Sequence, residues 1–148
     1  MEEIFLSIQE RIASMLPGLS LVDEDYGQLI TDEETYPVTF PCVLIGNIES
    51  EWTDIGVGVQ KGTCEITVKL AIDCYDDTHY TSGTADKIRE RLEKNKSLYK
   101  ILQGYRNSRD MSPLKRVKGT DYALPGQIKV YETTFRFNYH DNSAANPL

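Results

Sequence analysis

The segment TCEITVKLAIDCY, from Thr63 to Tyr75, decides the fold of this 148-residue chain. One parity of the segment is apolar and consists of Cys64, Ile66, Val68, Leu70, Ile72 and Cys74. The other parity is mostly polar and consists of Thr63, Glu65, Thr67, Lys69, Ala71, Asp73 and Tyr75. Because successive strand side chains point to opposite faces, this alternation predicts a long strand with one apolar and one wet face. Such a strand belongs at or near the centre of an antiparallel sheet.

The flanking sequence predicts two helices and further strands. Apolar residues at helical spacing predict one helix over 2–16, and a second that begins near 82–84 and carries Ala85, Ile88 and Leu92 on one face. The other expected elements are strands over 19–22, 42–52, 114–122 and 127–139, an acidic loop over 23–35, a wide hairpin loop over 54–62, and a helical turn or helix continuation over 98–102. The expected fold is therefore α+β, a mainly antiparallel sheet of four to five strands with two principal helices, 2–16 and 84–94, packed on one face.

Length and composition indicate one soluble domain. We expect it to span residues 1–141, followed by a flexible C-terminal tail over 142–148. Apolar residues make up 40% and charged residues 26% of the chain, which is ordinary for a globular protein. The acidic start Met1-Glu2-Glu3 lacks the positive charge of a signal peptide. No apolar run approaches the ~20 residues of a membrane span, so we expect cytosolic synthesis and no membrane partner.

Charge is distributed unevenly along the chain. Residues 1–60 contain twelve acidic residues and one basic residue, Arg11, whereas residues 61–148 contain eleven acidic and fifteen basic residues. The overall net charge of −7 argues against a general nucleic-acid-binding protein, which normally presents a basic face. The split predicts two surfaces of opposite sign that meet, either within one molecule, which is the simpler interpretation, or between neighbouring copies.

The three cysteines are better explained as thiols than as a disulfide framework. Cys64 and Cys74 share one face of the predicted strand and, at ~3.3 Å per residue, lie about 33 Å apart. That separation excludes a disulfide between them. Cys42 could meet one of them across the sheet, but small buried thiols are the favoured interpretation.

Motifs that could carry catalysis are weak. Residues 56–63 resemble a phosphate-binding loop only superficially, because the order is Lys-Gly-Thr and a strand, not a helix, follows. Asp76, Asp77 and His79 could supply metal ligands, with His140 close by if the two end strands pair. A solvated strand end is the simpler interpretation, and no nucleophile–base pair stands out. We therefore expect no catalytic residue, cofactor or metal.

Aromatic and basic residues are the more suggestive features. Tyrosine and tryptophan are enriched in interfaces, and the chain has nine tyrosines and Trp52. Trp52, Tyr75 and Tyr80 fall near predicted strand ends, where an interface and the cover of a sheet edge are equally good explanations. The segment 106–118 is basic and forms the second candidate for a contact surface.

Five patterns follow one another along the chain. They are an opening helix, the strand Pro41-Cys42-Val43-Leu44-Ile45, the long alternating strand Glu65 to Asp77, the helix pattern Ala85, Asp86, Ile88 and Leu92, and the late strand Tyr131 to Phe137. In this order they resemble the tail terminator, or tail completion, proteins of long-tailed bacteriophages and prophages. The segment from Lys96 to Gly126 is longer than the pattern of that family.

The resemblance implies a non-enzymatic ring, typically of six subunits, that caps the growing tail tube and presents a joining surface to the head. It implies copies of the chain itself, tail-tube proteins and head-connector proteins as partners, with DNA only passing through the lumen. It implies assembly in the host cytoplasm and a final place in the virion tail. A ring is built from heterologous contacts, which the acidic first third and the basic segment 106–118 would suit. The candidate interface residues are Trp52, Glu65, Lys69, Asp73, Tyr75, Tyr80, Arg106, Arg109, Lys115, Arg116 and Lys118.

Two functions of other classes stay open. One is a small adaptor that binds another protein through a tyrosine-rich sheet edge. The other, less favoured, is a metal-dependent enzyme with a site near Asp76, Asp77 and His79. Salt-sensitive oligomers would favour the ring, and a thermal shift with a divalent metal would favour the enzyme.

Overall fold

Two helices lie on one face of a five-stranded sheet in the computed structural model, which describes residues 1–76 and 78–145. The elements are α1 (Glu2–Met15), β1 (Leu21–Glu24), β2 (Cys42–Gly56), β3 (Val59–Asp73), α2 (Asp86–Leu102), β4 (Lys115–Leu124), β5 (Ile128–Asp141) and a short 3-10 turn, Ser143–Ala145. The strand order is β1-β2-β3-β5-β4, in which β1 runs parallel to β2 and all other neighbours are antiparallel. The predicted α+β class with a mainly antiparallel sheet is therefore confirmed.

The strand that the alternation predicts is β3, and it lies at the centre of the sheet between β2 and β5. Its apolar parity is buried from Cys64 to Leu70, and the strand ends at Asp73 rather than at Tyr75. Ile4, Ile8 and Ile12 of α1 pack on this face, because they recur every four residues and so form one stripe along the helix. The main core is thus the predicted one between the first helix and the apolar face of β3.

The predicted packing of residues 84–94 is wrong. The helix is continuous through Asn95-Lys96-Ser97, and its buried residues are Leu98, Ile101 and Leu102 in its last two turns. Ile88 and Leu92 are 41% and 52% exposed. The reason is the position of α2, whose Lys94 Nζ donates to the carbonyl oxygen of Pro17 at 3.4 Å, beyond the end of α1. The first half of α2 therefore lies past the helix that would have covered it.

The predicted wide loop over 54–62 is also wrong. Strand β2 continues to Gly56 and β3 begins at Val59, so only Val57 and Gly58 connect them. Gly58 has a φ of +72°, a conformation that glycine adopts without steric cost. The glycines that looked like a flexible connection, or a phosphate-binding loop, belong to paired strands and one tight turn.

A long connection covers half of the other face of the sheet. Residues 25–41, between β1 and β2, place Leu29 over Leu44 and Ala71 in a second apolar cluster. The hydroxyl of Tyr36 donates to the carbonyl oxygen of Pro125 at 2.7 Å, which ties this connection to the β4–β5 turn. The polar parity of β3 is consequently not wet along its whole length.

The C-terminal segment follows β5 without a break. Ser143 donates its N–H and its hydroxyl to the Asp141 carboxylate, at 2.9 and 2.6 Å, and these bonds lower the pKa of Asp141. A side chain on Gly58 would come within 2.7 Å of the backbone of Ala145, so the 3-10 turn sits against the β2–β3 turn. Residues 146–148 of the predicted tail lie outside the described residues, and its flexibility stays a prediction.

Candidate assembly surfaces

A ladder of charged residues crosses the uncovered half of the polar face. Cross-strand pairing places Glu49 beside Glu65, Glu65 beside Arg136, and Arg136 beside Lys115. Arg136 donates from Nη2 and Nε to Oε1 of Glu65, at 2.6 and 3.1 Å. The face is therefore acidic on the β2 side and basic on the β4 side, and Glu65 is already paired within the molecule.

Lys69 occupies a different environment from the one predicted. Its side chain is 10% exposed and its Nζ lies 2.9 Å from Oδ2 of Asp25, a carboxylate that is itself 7% exposed. Glu132 lies 3.9 Å from the same Nζ. The connection over 25–41 thus buries Lys69, and its predicted place on a wet face is wrong. Asp73 lies at the end of β3 and is partly buried.

The basic segment is spread over the end strand of the sheet and the connection before it. Three of its basic residues, Lys115, Arg116 and Lys118, lie among the first four residues of β4. Arg106 and Arg109 precede the strand, and all five residues are exposed. The Arg116 guanidinium stacks 3.7 Å from the centre of the Tyr99 ring, which holds it against α2.

The charge split of the sequence becomes a separation across the sheet. Strand β1, which contains Asp23 and Glu24, is one edge, and basic β4 is the other. Four strand spacings of ~4.8 Å put these edges about 19 Å apart. Among the described residues, the ion pair that joins residues 1–60 to 61–148 is the buried one between Asp25 and Lys69. The two edges of opposite sign therefore face away from each other in one molecule.

The predicted aromatic residues lie at the two ends of β3. Trp52 is 40% exposed, covers Gly62 and meets Tyr139 edge to face at 6.4 Å between ring centres. Burial raises the pKa of Tyr139. Tyr75 and Tyr80 follow β3 at its opposite end and are 69% and 97% exposed. Trp52 thus has a structural role within the monomer, while the tyrosines present their rings to solvent.

His140 lies far from the other histidine of the metal-site hypothesis, His79. His140 pairs with Lys61 near the β2–β3 turn, whereas His79 lies beyond Asp73 at the other end of β3. Within the described residues no group of three potential ligands is close enough to hold a metal. Asp77, the third residue of that hypothesis, lies outside the described residues. The two strands do pair, but in an antiparallel register that places His140 at the end of β3 opposite to His79.

The cysteines are free thiols, and two of them are buried. Burial raises the pKa of Cys42 to about 11 and also raises the pKa of Cys64. Because the thiolate is the nucleophile, these two groups are unreactive near neutral pH. Cys74 is partly buried at the end of β3.

Two exposed apolar patches were missed by the sequence analysis. The tip patch consists of Ile55 and Val57 at the β2–β3 turn, which are 52% and 98% exposed. The α2 stripe consists of Ala85, Ile88 and Leu92, spaced three and four residues apart so that they share one side of the helix. The helical spacing was visible in the sequence, but it was interpreted as a core-facing pattern.

Comparisons with known proteins give a similarity of fold. No family model and no curated protein matches the chain. Among solved structures, a chain of the "Virion of native gene transfer agent (GTA) particle" is similar, with a TM-score of 0.59 and 11% sequence identity over 95% of both chains. The shared fold therefore extends over nearly the full length of each chain. Neither described helix is long and apolar enough to cross a membrane.

Proposed function

We propose that this protein is a structural component of a phage-like particle, and specifically a tail terminator that forms a ring on the tail tube and joins it to the head. The observation that carries the proposal is the fold shared over 95% of both chains with a protein of a gene transfer agent virion. The resemblance of the sequence patterns to tail terminators supports the narrower assignment. The partners would be further copies of the chain, tail-tube proteins and head-connector proteins.

Charge placement supports assembly by heterologous contacts. An acidic edge at β1 and a basic edge at β4 are two different patches on opposite sides of one sheet. Contacts between two different patches generate a ring when the rotation between neighbours closes. The exposed candidates for these contacts are Trp52, Tyr75, Tyr80, Arg106, Arg109, Lys115, Arg116 and Lys118, and the partly buried candidates are Glu65 and Asp73. Lys69 is excluded because it is buried.

The test is the state of association of the purified protein. Light scattering over a range of concentrations at low salt should show an oligomer, and negative-stain images of the same sample should show rings with a central opening. A protein that stays monomeric at high concentration and low salt contradicts the ring and would favour the adaptor function. Deletion of the gene from the particle-forming element that encodes it should leave heads and tails unjoined.

A further inference from the structure

The tip patch lies at the β2–β3 turn, at the end of the sheet where β2, β3 and β5 finish together. From Glu49 to Gly56 every residue of β2 except Ser50 is exposed, so this part of the strand extends beyond the helices. Val57 is 98% exposed at the turn, beside Ile55. Residues 49–60 contain three acidic residues and no basic residue. The hairpin therefore ends in the exposed apolar residues Ile55 and Val57, and the strand that leads to them is acidic; we call residues 49–54 the acidic stem.

The α2 stripe lies on the part of α2 that projects in the opposite direction. Arg11, in the second half of α1, donates to the carbonyl oxygen of Ile101 at 2.7 Å, and Lys94 reaches Pro17 after the end of α1. The eight residues before Lys94 add about 12 Å of helix beyond this point, at ~1.5 Å per residue. Residues 86–97 contain five basic and three acidic residues. The stripe is thus an apolar surface on a net basic helix.

The two patches cannot meet within one molecule. α1 begins beside Tyr139, where the Met1 amino group contacts the tyrosine hydroxyl at 3.5 Å, close to Trp52 and the hairpin. It ends at Met15, and the exposed half of α2 lies past that end. The tip patch and the α2 stripe therefore lie at opposite ends of the protein, with opposite net charge and matching apolar character.

We propose that the β2–β3 hairpin of one copy docks its tip patch on the α2 stripe of the next copy. This inference rests on the proposed ring, because a contact between opposite ends of identical molecules is heterologous and propagates around a closed rotation. The occupant is a second copy, since the acidic stem complements the basic helix and both patches are exposed and apolar. The contact removes from water Ile55, Val57, Ile88 and Leu92, which are exposed in the monomer.

Two single substitutions test the pairing. Val57→Glu inactivates the tip patch, and Leu92→Glu inactivates the α2 stripe; both residues are exposed, so both variants should keep the wild-type thermal unfolding. Leu6→Glu is the matched control, because Leu6 is a 55% exposed leucine on α1, outside both patches. Light scattering should find oligomers for the wild type and for Leu6→Glu, and monomers for each of the other two variants.

Mixing the two monomeric variants gives the decisive result. The intact tip of Leu92→Glu can dock on the intact stripe of Val57→Glu, but no further contact can follow. The mixture should therefore form a 1:1 heterodimer of twice the 16.8 kDa monomer mass. A mixture that stays monomeric, or variants that oligomerise like the wild type, would overturn the hairpin contact and leave the ring in place. A wild type that is monomeric under all conditions would overturn both proposals.

Discussion

The buried ion pair between Lys69 and Asp25 joins strand β3 to the 25–41 connection, which covers half of the second face of the sheet. Both side chains are at most 10% exposed, and their charged atoms are 2.9 Å apart. Removing one member of such a pair leaves an uncompensated buried charge, which typically costs about 3–5 kcal/mol. Lys69→Met should lower the free energy of unfolding in urea by about that amount, because Asp25 is left buried without its partner.

Two further variants separate charge from packing at this position. The double variant Lys69→Met/Asp25→Leu should recover most of the lost stability, since neither charge of the pair stays buried. Lys61→Met, an exposed position on the same strand, should change the free energy of unfolding by less than about 0.5 kcal/mol. If Lys69→Met and Lys61→Met behave alike, the pair does not hold the 25–41 connection on the sheet.

The surroundings of Tyr122 predict a late alkaline transition in this protein. Burial, together with the nearby Glu132 carboxylate, to which its hydroxyl donates at 3.1 Å, raises the pKa of Tyr122 from 10.0 to about 12. Because the folded state holds this proton more tightly, the stabilisation is complete below pH 10 and is lost as the pH rises through 12. Ultraviolet titration should show one tyrosine ionising near pH 12, and Tyr122→Phe should abolish that step. Tyr80→Phe should leave it in place. Because burial also raises the pKa of Tyr139, the comparison is made in a Tyr139→Phe background, where a late step that survives Tyr122→Phe would contradict the assignment.

Residue identity in β3 predicted which face each side chain occupies, but not what lies above that face. Alternation depends only on the two-residue repeat of a strand, so the buried series from Cys64 to Leu70 was predictable. Lys69 has the same parity as Glu65, yet one is buried and the other is accessible. The difference comes from residues 25–41, whose acidic composition gave no sign that Asp25 turns inward.

At the level of elements, the β2–β3 hairpin shows why glycines misled the prediction. Gly62 sits in paired strand opposite Trp52, and a Cβ on it would lie 2.7 Å from the indole ring. Here glycine provides space for an aromatic neighbour rather than freedom for a loop. A loop and a close approach both require glycine, so the sequence alone does not separate them.

The same contact provides a test of the hairpin. Gly62→Ala should displace the Trp52 ring and lower the free energy of unfolding by about 1–3 kcal/mol, as expected for overpacking. The fluorescence of the single tryptophan should shift, because the displaced indole ring no longer packs on Gly62. Gly119→Ala is the matched control: it lies in β4, a Cβ there meets nothing within 4 Å, and its effect should be small. Equal effects of the two substitutions would contradict the packing described for Trp52.

Helix α2 shows the limit of amphipathic spacing. Ile88 and Leu92 form a regular stripe, and so do Leu98, Ile101 and Leu102, but only the second set is buried. The spacing of its apolar residues indicates that a helix has an apolar side. How much of that side is buried in α2 depends on the length of the neighbouring helix, α1. The uncovered remainder is the part of α2 for which we propose a second copy.

For the whole molecule, the fold followed from pattern while the assembly surfaces did not. The central strand and the first helix could be predicted because their buried apolar residues recur at short, regular intervals in the sequence. The ladder from Glu49 to Lys115 and the opposite charge of the two sheet edges depend on strand order, which places residues far apart in sequence side by side. Charge counts predicted two surfaces of opposite sign that meet, within one molecule or between copies, and only the topology shows that the two charged edges lie on opposite sides of the sheet.

The opposite charge of the sheet edges predicts how assembly responds to salt. The Debye length falls from ~10 Å at 0.1 M to ~3 Å at 1 M salt, so exposed charge pairs between neighbours are progressively screened. Light scattering should show weaker association at 1 M than at 0.1 M NaCl. Lys115→Glu/Lys118→Glu, which reverses the basic edge at β4, should weaken association already at low salt and flatten its salt dependence. Lys115→Arg/Lys118→Arg keeps the charge and should behave as the wild type. If the reversed variant follows the wild-type salt curve, β4 is not part of the contact, and assembly depends on the hairpin and α2 without help from the sheet edges.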